Sequence, residues 1–159
     1  MGLFSISGTV TAIGQSLFNS DLAIYAYVEI TEASGRRVNV EKVAVCNDAA
    51  SQLQLGSAGE FFFDKMFVYG GRFRCQLWGI KSESMAVLDR HDVRKLFIVH
   101  HILLGIVLLP FFCIGLFWLL PGLASLWTVL SGGADRKGLF YGSNPAEVQR
   151  LRQQQPVRI

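Results

Sequence analysis

Three histidines and three cysteines are the side chains of this 159-residue chain whose types are best suited to hold a transition metal or to act as nucleophiles. They are His91, His100, His101, Cys46, Cys75 and Cys113. On a helix, the adjacent His100 and His101 would point about 100° apart and would not readily share one ion. No two cysteines form a C-x-x-C pair, and Cys46 and Cys75 fall in strand-like segments typical of buried thiols. We therefore predict no metal site.

Sequence motifs for catalysis are missing from the chain. It has no nucleophile elbow, no H-E-x-x-H, no phosphate-binding loop and no dinucleotide fingerprint. The close acidic pairs, Asp89 with Asp92 and Glu29 with Glu32, are typical of solvated or helix-capping carboxylates. We expect a protein that is not an enzyme, with no catalytic residues and no cofactor.

Arginines and aromatic residues alternate with apolar ones in two segments, which would place them on one outward face. They are Arg72, Arg74 and Trp78 in one segment and Tyr25 and Tyr27 in the other. Trp, Tyr and Arg anchor protein interfaces, but they also bind single-stranded nucleic acid, cover small barrels or meet lipid headgroups. Residues 1–85 contain seven basic and eight acidic side chains, whereas nucleic-acid-binding domains show a basic excess. This balance favours a protein interface and argues against nucleic acid.

The elements that would position these residues are β-strands. Residues 22–31 alternate strictly, which predicts that Leu22, Ile24, Ala26, Val28 and Ile30 point inward. In residues 37–46 the valines occupy even-numbered positions before Glu41-Lys42 and odd-numbered positions after it, and this change predicts a bulge. Strands are also predicted over residues 3–14, 58–68 and 72–80, and the second of these three would leave Phe62 exposed.

A short helix is predicted between the third and fourth strands, in the segment DAASQLQL that ends before Gly56. The resulting order is β-β-β-α-β-β, with a kinked third strand. This order resembles the OB-fold, a five-stranded barrel. The resemblance covers about half of the chain and implies an OB-like barrel over residues 1–81.

A long uncharged segment follows the predicted barrel. Residues 96–134 contain no Asp, Glu, Lys or Arg, which is typical of a membrane segment and predicts one over 96–131. Pro110 and Pro121-Gly122 allow either a helical hairpin or one bent span. The flanking basic residues are Arg90, Arg94 and Lys95 before it and Arg136 and Lys137 after it. Since positive flanks stay in the cytoplasm, we favour a hairpin with both ends cytoplasmic.

The predicted fold is thus a mainly β N-terminal domain, an OB-like five-stranded barrel with one short helix, plus an α-helical membrane segment. A helical connector would span 82–95 and a basic cytoplasmic tail 132–159. The expected function is that of a small integral membrane protein, a non-enzymatic subunit or adaptor. Its partners would be the lipid bilayer and a protein partner or homo-oligomer. The alternatives are a membrane-tethered single-stranded nucleic-acid-binding protein and a pore- or channel-like homo-oligomer.

Overall fold

A computed structural model of the chain describes residues 2–18, 22–66, 73–89, 91–110 and 114–155. The strands in these ranges are β1 (Gly2–Ile13), β2 (Ser16–Phe18), β3 (Leu22–Thr31), β4 (Arg37–Cys46), β5 (Ala58–Lys65), β6 (Cys75–Lys81) and β7 (Ala86–Leu88). The helices are α1 (Asn47–Ala50), α2 (Val93–Leu108), α3 (Ile114–Leu130), α4 (Arg136–Tyr141) and α5 (Pro145–Gln153).

Five strands close into a barrel. Its sheet runs β1-β5-β6-β4-β3, and a further pairing of β1 with β3 joins the two ends. The β4–β6 pair is parallel and the others are antiparallel, while α1 lies between β4 and β5 in the chain. The short strands β2 and β7 extend the sheet beside β3 and β6. The predicted OB-like strand order is therefore confirmed.

The barrel interior is a continuous apolar core. Its largest fully buried members include Phe61, Phe63 and Leu77 from the two strands that follow α1. Phe4 on β1 stacks on Phe63, with 5.3 Å between ring centroids. Burial of large side chains such as these is the main force that stabilises a domain of this size.

On both β3 and β4, the alternation of buried and exposed residues shifts by one position, at the same level of the barrel. Glu41 and Lys42 are both exposed, and Lys42 adopts a positive φ of 52°, which fits the parity change predicted there. On β3 the expectation of strict alternation is wrong, because Ala26 and Tyr27 are both exposed and Tyr25 is buried. Tyr25 pairs with the buried Val43 of β4, so the Tyr25 side chain points inward as that of Val43 does.

The outer face of β5 and β6 carries a second buried cluster. Phe62 and Trp78 are covered there by Phe140 of α4 and Leu151 of α5. Phe62 and Phe140 ring centroids lie 5.2 Å apart. The prediction that Phe62 is exposed is therefore wrong, because the segment expected to be a tail folds back over the barrel.

The segment 82–95 was predicted to be a helical connector, but it contains a strand and only the start of a helix. Ala86–Leu88 forms β7 against Gly79–Lys81, since Ser82 first turns the chain by accepting a hydrogen bond from the Met85 amide at 3.1 Å. Helix α2 begins only at Val93, after the capping residue Asp92. Helix α5 begins at Pro145, after Asn144, whose side chain caps it by accepting a hydrogen bond from the Ala146 amide.

The long apolar segment folds into two helices that pack against each other, α2 and α3. Helix α2 ends at Leu108 and α3 begins at Ile114, so Pro121 sits inside α3 and does not end it. A helix pair therefore occupies the region predicted as a hairpin. Within the described ranges, no helix is both long and apolar enough to cross a membrane.

Candidate functional site

The outer faces of α2 and α3 expose apolar side chains along their whole length. Of the 17 large apolar side chains that are exposed among the described residues, 13 lie between Leu96 and Leu130. They are Leu96, Val99, Leu103, Ile106, Val107, Leu109, Ile114, Leu116, Phe117, Leu120, Leu123, Trp127 and Leu130. An exposed apolar surface of this extent is typical of surfaces that bind lipid or another protein.

The inner faces of the two helices are held together at glycines. Gly105 and Gly115 face each other so closely that a Cβ on Gly115 would collide with the Gly105 carbonyl oxygen. Nearer the barrel, a Cβ on Gly122 would lie 3.2 Å from the His101 Cβ. These contacts pair the start of α3 with the end of α2 and the middle of α3 with the middle of α2, so the helices are antiparallel. Close helix contact through small residues is typical of helices packed in an apolar medium.

A buried ion pair joins the base of this hairpin to the barrel. The Arg94 guanidinium, at the start of α2, donates to both carboxylate oxygens of Asp64 at the end of β5, with Nε to Oδ2 at 2.9 Å. Both side chains are at most 1% exposed. A buried pair of this kind contributes little net stability, but removal of one partner costs about 3–5 kcal/mol. It therefore fixes the position of the hairpin relative to the barrel.

Arg136 joins the same network from the other side of the hairpin, at the start of α4. Its Nη2 lies 3.0 Å from Asp64 Oδ2, 3.2 Å from Asp92 Oδ1 and 2.8 Å from Gln76 Oε1. The fully buried Gln76 side chain also donates from Nε2 to the His91 carbonyl oxygen at 2.8 Å. The segments that enter and leave the hairpin are thus both tied to Asp64 and Gln76. We call Asp64, Gln76, Arg94 and Arg136 the brace.

A cavity of about 610 Å³ opens beside the brace at the base of the hairpin. Its lining carries the carboxylates of Asp89 and Asp92 and the basic side chains of Lys95 and Lys137. Both lysines are exposed, and Lys95 Nζ lies 3.8 Å from Asp92 Oδ2. The cavity therefore offers charged groups of both signs at the level where the hairpin leaves the barrel.

The predicted membrane-flanking basic residues divide into two kinds. Arg94 and Arg136 belong to the brace, with 1% and 11% of their side chains exposed. Lys95 and Lys137 are exposed. Arg90 lies outside the described residues.

The predicted interface residues do not form one exposed patch. Trp78 is fully buried and Tyr25 is 9% exposed, so the expectation that these two face solvent is wrong. Trp78 does point outward from the barrel, but Phe140 covers it, with ring centroids 6.2 Å apart. Tyr27 and Arg74 are exposed, while Arg72 lies outside the described residues.

Tyr27 and Arg74 share one stretch of surface across β4. Tyr27 pairs with Glu41 in the sheet, and the Arg74 backbone amide donates to the Lys42 carbonyl oxygen at 2.8 Å. Glu41 and Lys42 are exposed as well. We call these four residues the Tyr27–Arg74 surface, which contains two of the residues predicted to form an interface.

The histidines occupy two different environments. His101 is buried in the hairpin between the helices, where its Nδ1 lies 2.9 Å from the Phe97 carbonyl oxygen, and its ring lies 5.2 Å from that of Trp118. His91 lies instead beside Cys46 and Asp89, close enough for the three to hold one metal ion. Burial and then the Asp89 carboxylate raise the pKa of the Cys46 thiol to about 12. Burial likewise raises the pKa of the Cys75 thiol, while Cys113 lies outside the described residues.

The sequence reasoning missed the brace. Asp64 follows three phenylalanines, and Arg94 and Arg136 bound the apolar run, so all three look like ordinary solvated charges. Charged residues are almost never fully buried unless they are paired. The usable signal was one acidic residue directly after three phenylalanines, and it does not identify the two arginines.

A comparison of the chain with protein-family models, with curated proteins and with solved structures finds no match. The function must therefore be argued from the chain's own geometry.

Proposed function

We propose that the protein is a membrane-associated, non-enzymatic adaptor, whose apolar hairpin enters the bilayer and holds the barrel at the cytoplasmic surface. The observation that carries the proposal is the concentration of exposed apolar side chains on α2 and α3. Their combined surface would be costly to leave in water, at about 25 cal/mol per Å² of apolar area.

Lipid is favoured over a second protein because the exposed residues lie on both helices, each on the face turned away from its partner. Leu103 and Val107 on α2 and Phe117 and Leu120 on α3 are each more than half exposed. A flat protein surface would cover one side of the hairpin, whereas hydrocarbon chains can cover every side of it.

The lengths of the helices support an insertion that returns to the same side. Helices of 16 and 17 residues are about 24 and 26 Å long, and a hydrocarbon core is about 30 Å thick. The hairpin would therefore dip into the bilayer without crossing it. Lys95 and Lys137 would then lie at headgroup level on the cytoplasmic side, which is the side that basic flanking residues favour.

The adaptor part of the proposal rests on the brace and on the Tyr27–Arg74 surface. The brace would keep the barrel in one orientation relative to the bilayer, so that Tyr27 and Arg74 are presented to a protein partner or to another copy of the chain. Nucleic-acid binding loses support because the aromatic rings of Tyr25 and Trp78 are covered and are not available to stack on bases.

Flotation of the full chain with liposomes tests the membrane part. We expect the wild-type chain to float with the vesicles, and the double variant Leu103→Asp with Phe117→Asp to remain at the bottom of the gradient. Leu17→Asp is the matched control, because Leu17 is 69% exposed but lies on β2 of the barrel. A wild-type chain that stays monodisperse without lipid or detergent and does not float would overturn the proposal.

The adaptor part is tested by the mass of the assembly extracted from the protein's own cells in mild detergent. The double variant Tyr27→Ala with Arg74→Glu should lower that mass, while Arg37→Glu, an exposed change elsewhere on β4, should not. A wild-type chain extracted as a strict monomer would contradict an adaptor role while leaving membrane binding intact. Detergent-resistant oligomers that survive both variants and conduct ions in liposomes would instead support a pore.

A further inference from the structure

Three side chains with different ligand atoms meet at the end of β4. Cys46 is the last residue of that strand, while Asp89 and His91 follow β7 in the chain. The Cys46 sulfur, an Asp89 oxygen and a His91 ring nitrogen all lie within 4.8 Å of one another. Residues that are more than 40 positions apart in the sequence are thus gathered at one point by the barrel topology.

The cluster contains a buried polar atom that lacks a protein partner. Asp89 is 6% exposed, and its Oδ2 makes no hydrogen bond within the described part of the chain. Its Oδ1 accepts a hydrogen bond from the His91 amide at 3.0 Å and lies 3.6 Å from His91 Nδ1. A buried carboxylate oxygen without a donor is costly, and a bound cation would compensate for it.

The backbone around His91 is held in place by the brace. The His91 carbonyl oxygen accepts from Gln76 Nε2 at 2.8 Å, and Gln76 Nε2 also lies 3.9 Å from the Cys46 sulfur. The His91 ring is exposed, and Asp89 lines the cavity at the base of the hairpin. An ion would therefore have a route to the cluster from solvent.

We propose that Cys46, Asp89 and His91 form a binding site for a divalent transition-metal ion of the zinc class. One sulfur, one nitrogen and one carboxylate oxygen are the ligand types that Zn²⁺ accepts in tetrahedral sites, whereas Mg²⁺ and Ca²⁺ require oxygen ligands. Three protein ligands leave the fourth position open. The thiol proton passes to solvent as the metal–sulfur bond forms.

Arg136 is the charge that opposes the site most directly, because its guanidinium lies near Cys46 and contacts the His91 carbonyl oxygen at 3.5 Å. That guanidinium is already engaged by the carboxylates of Asp64 and Asp92. The bound ion would join the end of β4 to the segment that leads into α2.

Cobalt titration of the tag-free full chain in detergent, after treatment with a chelator, tests the site. We expect one equivalent of Co²⁺ to bind with a sulfur-to-cobalt charge-transfer band in the near ultraviolet, and Zn²⁺ to displace it. Cys46→Ser should abolish the band. Cys75→Ser is the matched control, since Cys75 is also a buried strand cysteine but is not part of the cluster.

His91→Ala keeps the test informative if Cys46→Ser fails to fold, because the His91 side chain is 73% exposed. This variant should weaken Co²⁺ and Zn²⁺ binding at least about tenfold. The absence of any thiolate band in the wild-type chain, or a band that Cys46→Ser leaves unchanged, would overturn the proposal. The metal titrations of all variants are made in detergent, so their outcome does not depend on whether the chain binds membranes.

Discussion

The barrel and the helical hairpin place their apolar residues in opposite ways. In the barrel, Val28, Phe61 and Leu77 are fully buried and the exposed positions of β4 include Arg37, Asn39 and Glu41. In the hairpin, three glycines and Ser125 are buried together with Phe97 and Ile98 at the start of α2, while most of the large apolar side chains lie outside. This contrast is what the proposed function requires, with water around the barrel and hydrocarbon around the hairpin.

This difference predicts a different source of stability for each region. Barrel stability depends on apolar contacts that exclude water, so core substitutions should unfold it. Hairpin stability depends on close backbone packing at Gly105 and Gly115, and its outer side chains should matter for membrane binding and not for folding.

The largest effect is expected from a charge placed in the barrel core. Leu77→Asp would bury an unpaired carboxylate at a position that is 0% exposed, so it should cost more than about 4 kcal/mol and unfold the barrel. Leu103→Asp, at a hairpin position that is 59% exposed, should leave the unfolding midpoint nearly unchanged in detergent. Denaturant unfolding followed by circular dichroism compares them, and equal losses would remove the contrast between the two regions.

Loss of the brace should have the next largest effect. Asp64→Ala would leave the buried Arg94 guanidinium without its carboxylate, at a cost of about 3–5 kcal/mol in the free energy of unfolding. Glu41→Ala, on the exposed surface of β4, is the control and should change it by less than about 0.5 kcal/mol. If Asp64→Ala were equally mild, Asp64 would not link the hairpin to the barrel.

A smaller effect is expected where the two helices touch. Gly115→Leu would force a side chain against the Gly105 backbone, and such overpacking costs about 1–3 kcal/mol. Ala124→Leu enlarges an exposed position of the same helix and should be tolerated. Thermal unfolding in detergent measures both, and a stability for Gly115→Leu that matches the control would argue against close antiparallel packing.

The smallest effect is expected at the proposed headgroup level. Lys137→Gln should weaken binding to anionic vesicles by about 1 kcal/mol, or roughly fivefold, because one basic residue near a charged membrane contributes about that much. Lys42→Gln removes an exposed lysine of the barrel and should have no effect. Vesicle binding at low and high salt measures both. A loss that persists at high salt would contradict an electrostatic role for Lys137.

The barrel could be predicted because strand alternation and turn residues are local signals. The parity change at Glu41-Lys42 could be read from β4 alone, but its counterpart at Ala26-Tyr27 could not, because Ala and Tyr fit either face. The covered face of Trp78 depends on Phe140, which lies 62 residues later, so no local pattern could reveal it. The brace could not be predicted for the same reason, since Asp64, Arg94 and Arg136 are far apart in the sequence and meet only in the folded chain.

The depth of the hairpin in a bilayer tests the central claim most directly. In a full chain that carries Phe117→Trp with Trp118→Phe and Trp127→Phe, one indole lies on the outer face of α3 and the other is Trp78, buried in the barrel. Lipids brominated on their acyl chains should quench the first indole strongly and leave Trp78 fluorescence unchanged. Equal fluorescence in brominated and ordinary vesicles that bind the protein would show that the hairpin stays outside the hydrocarbon and would contradict the account.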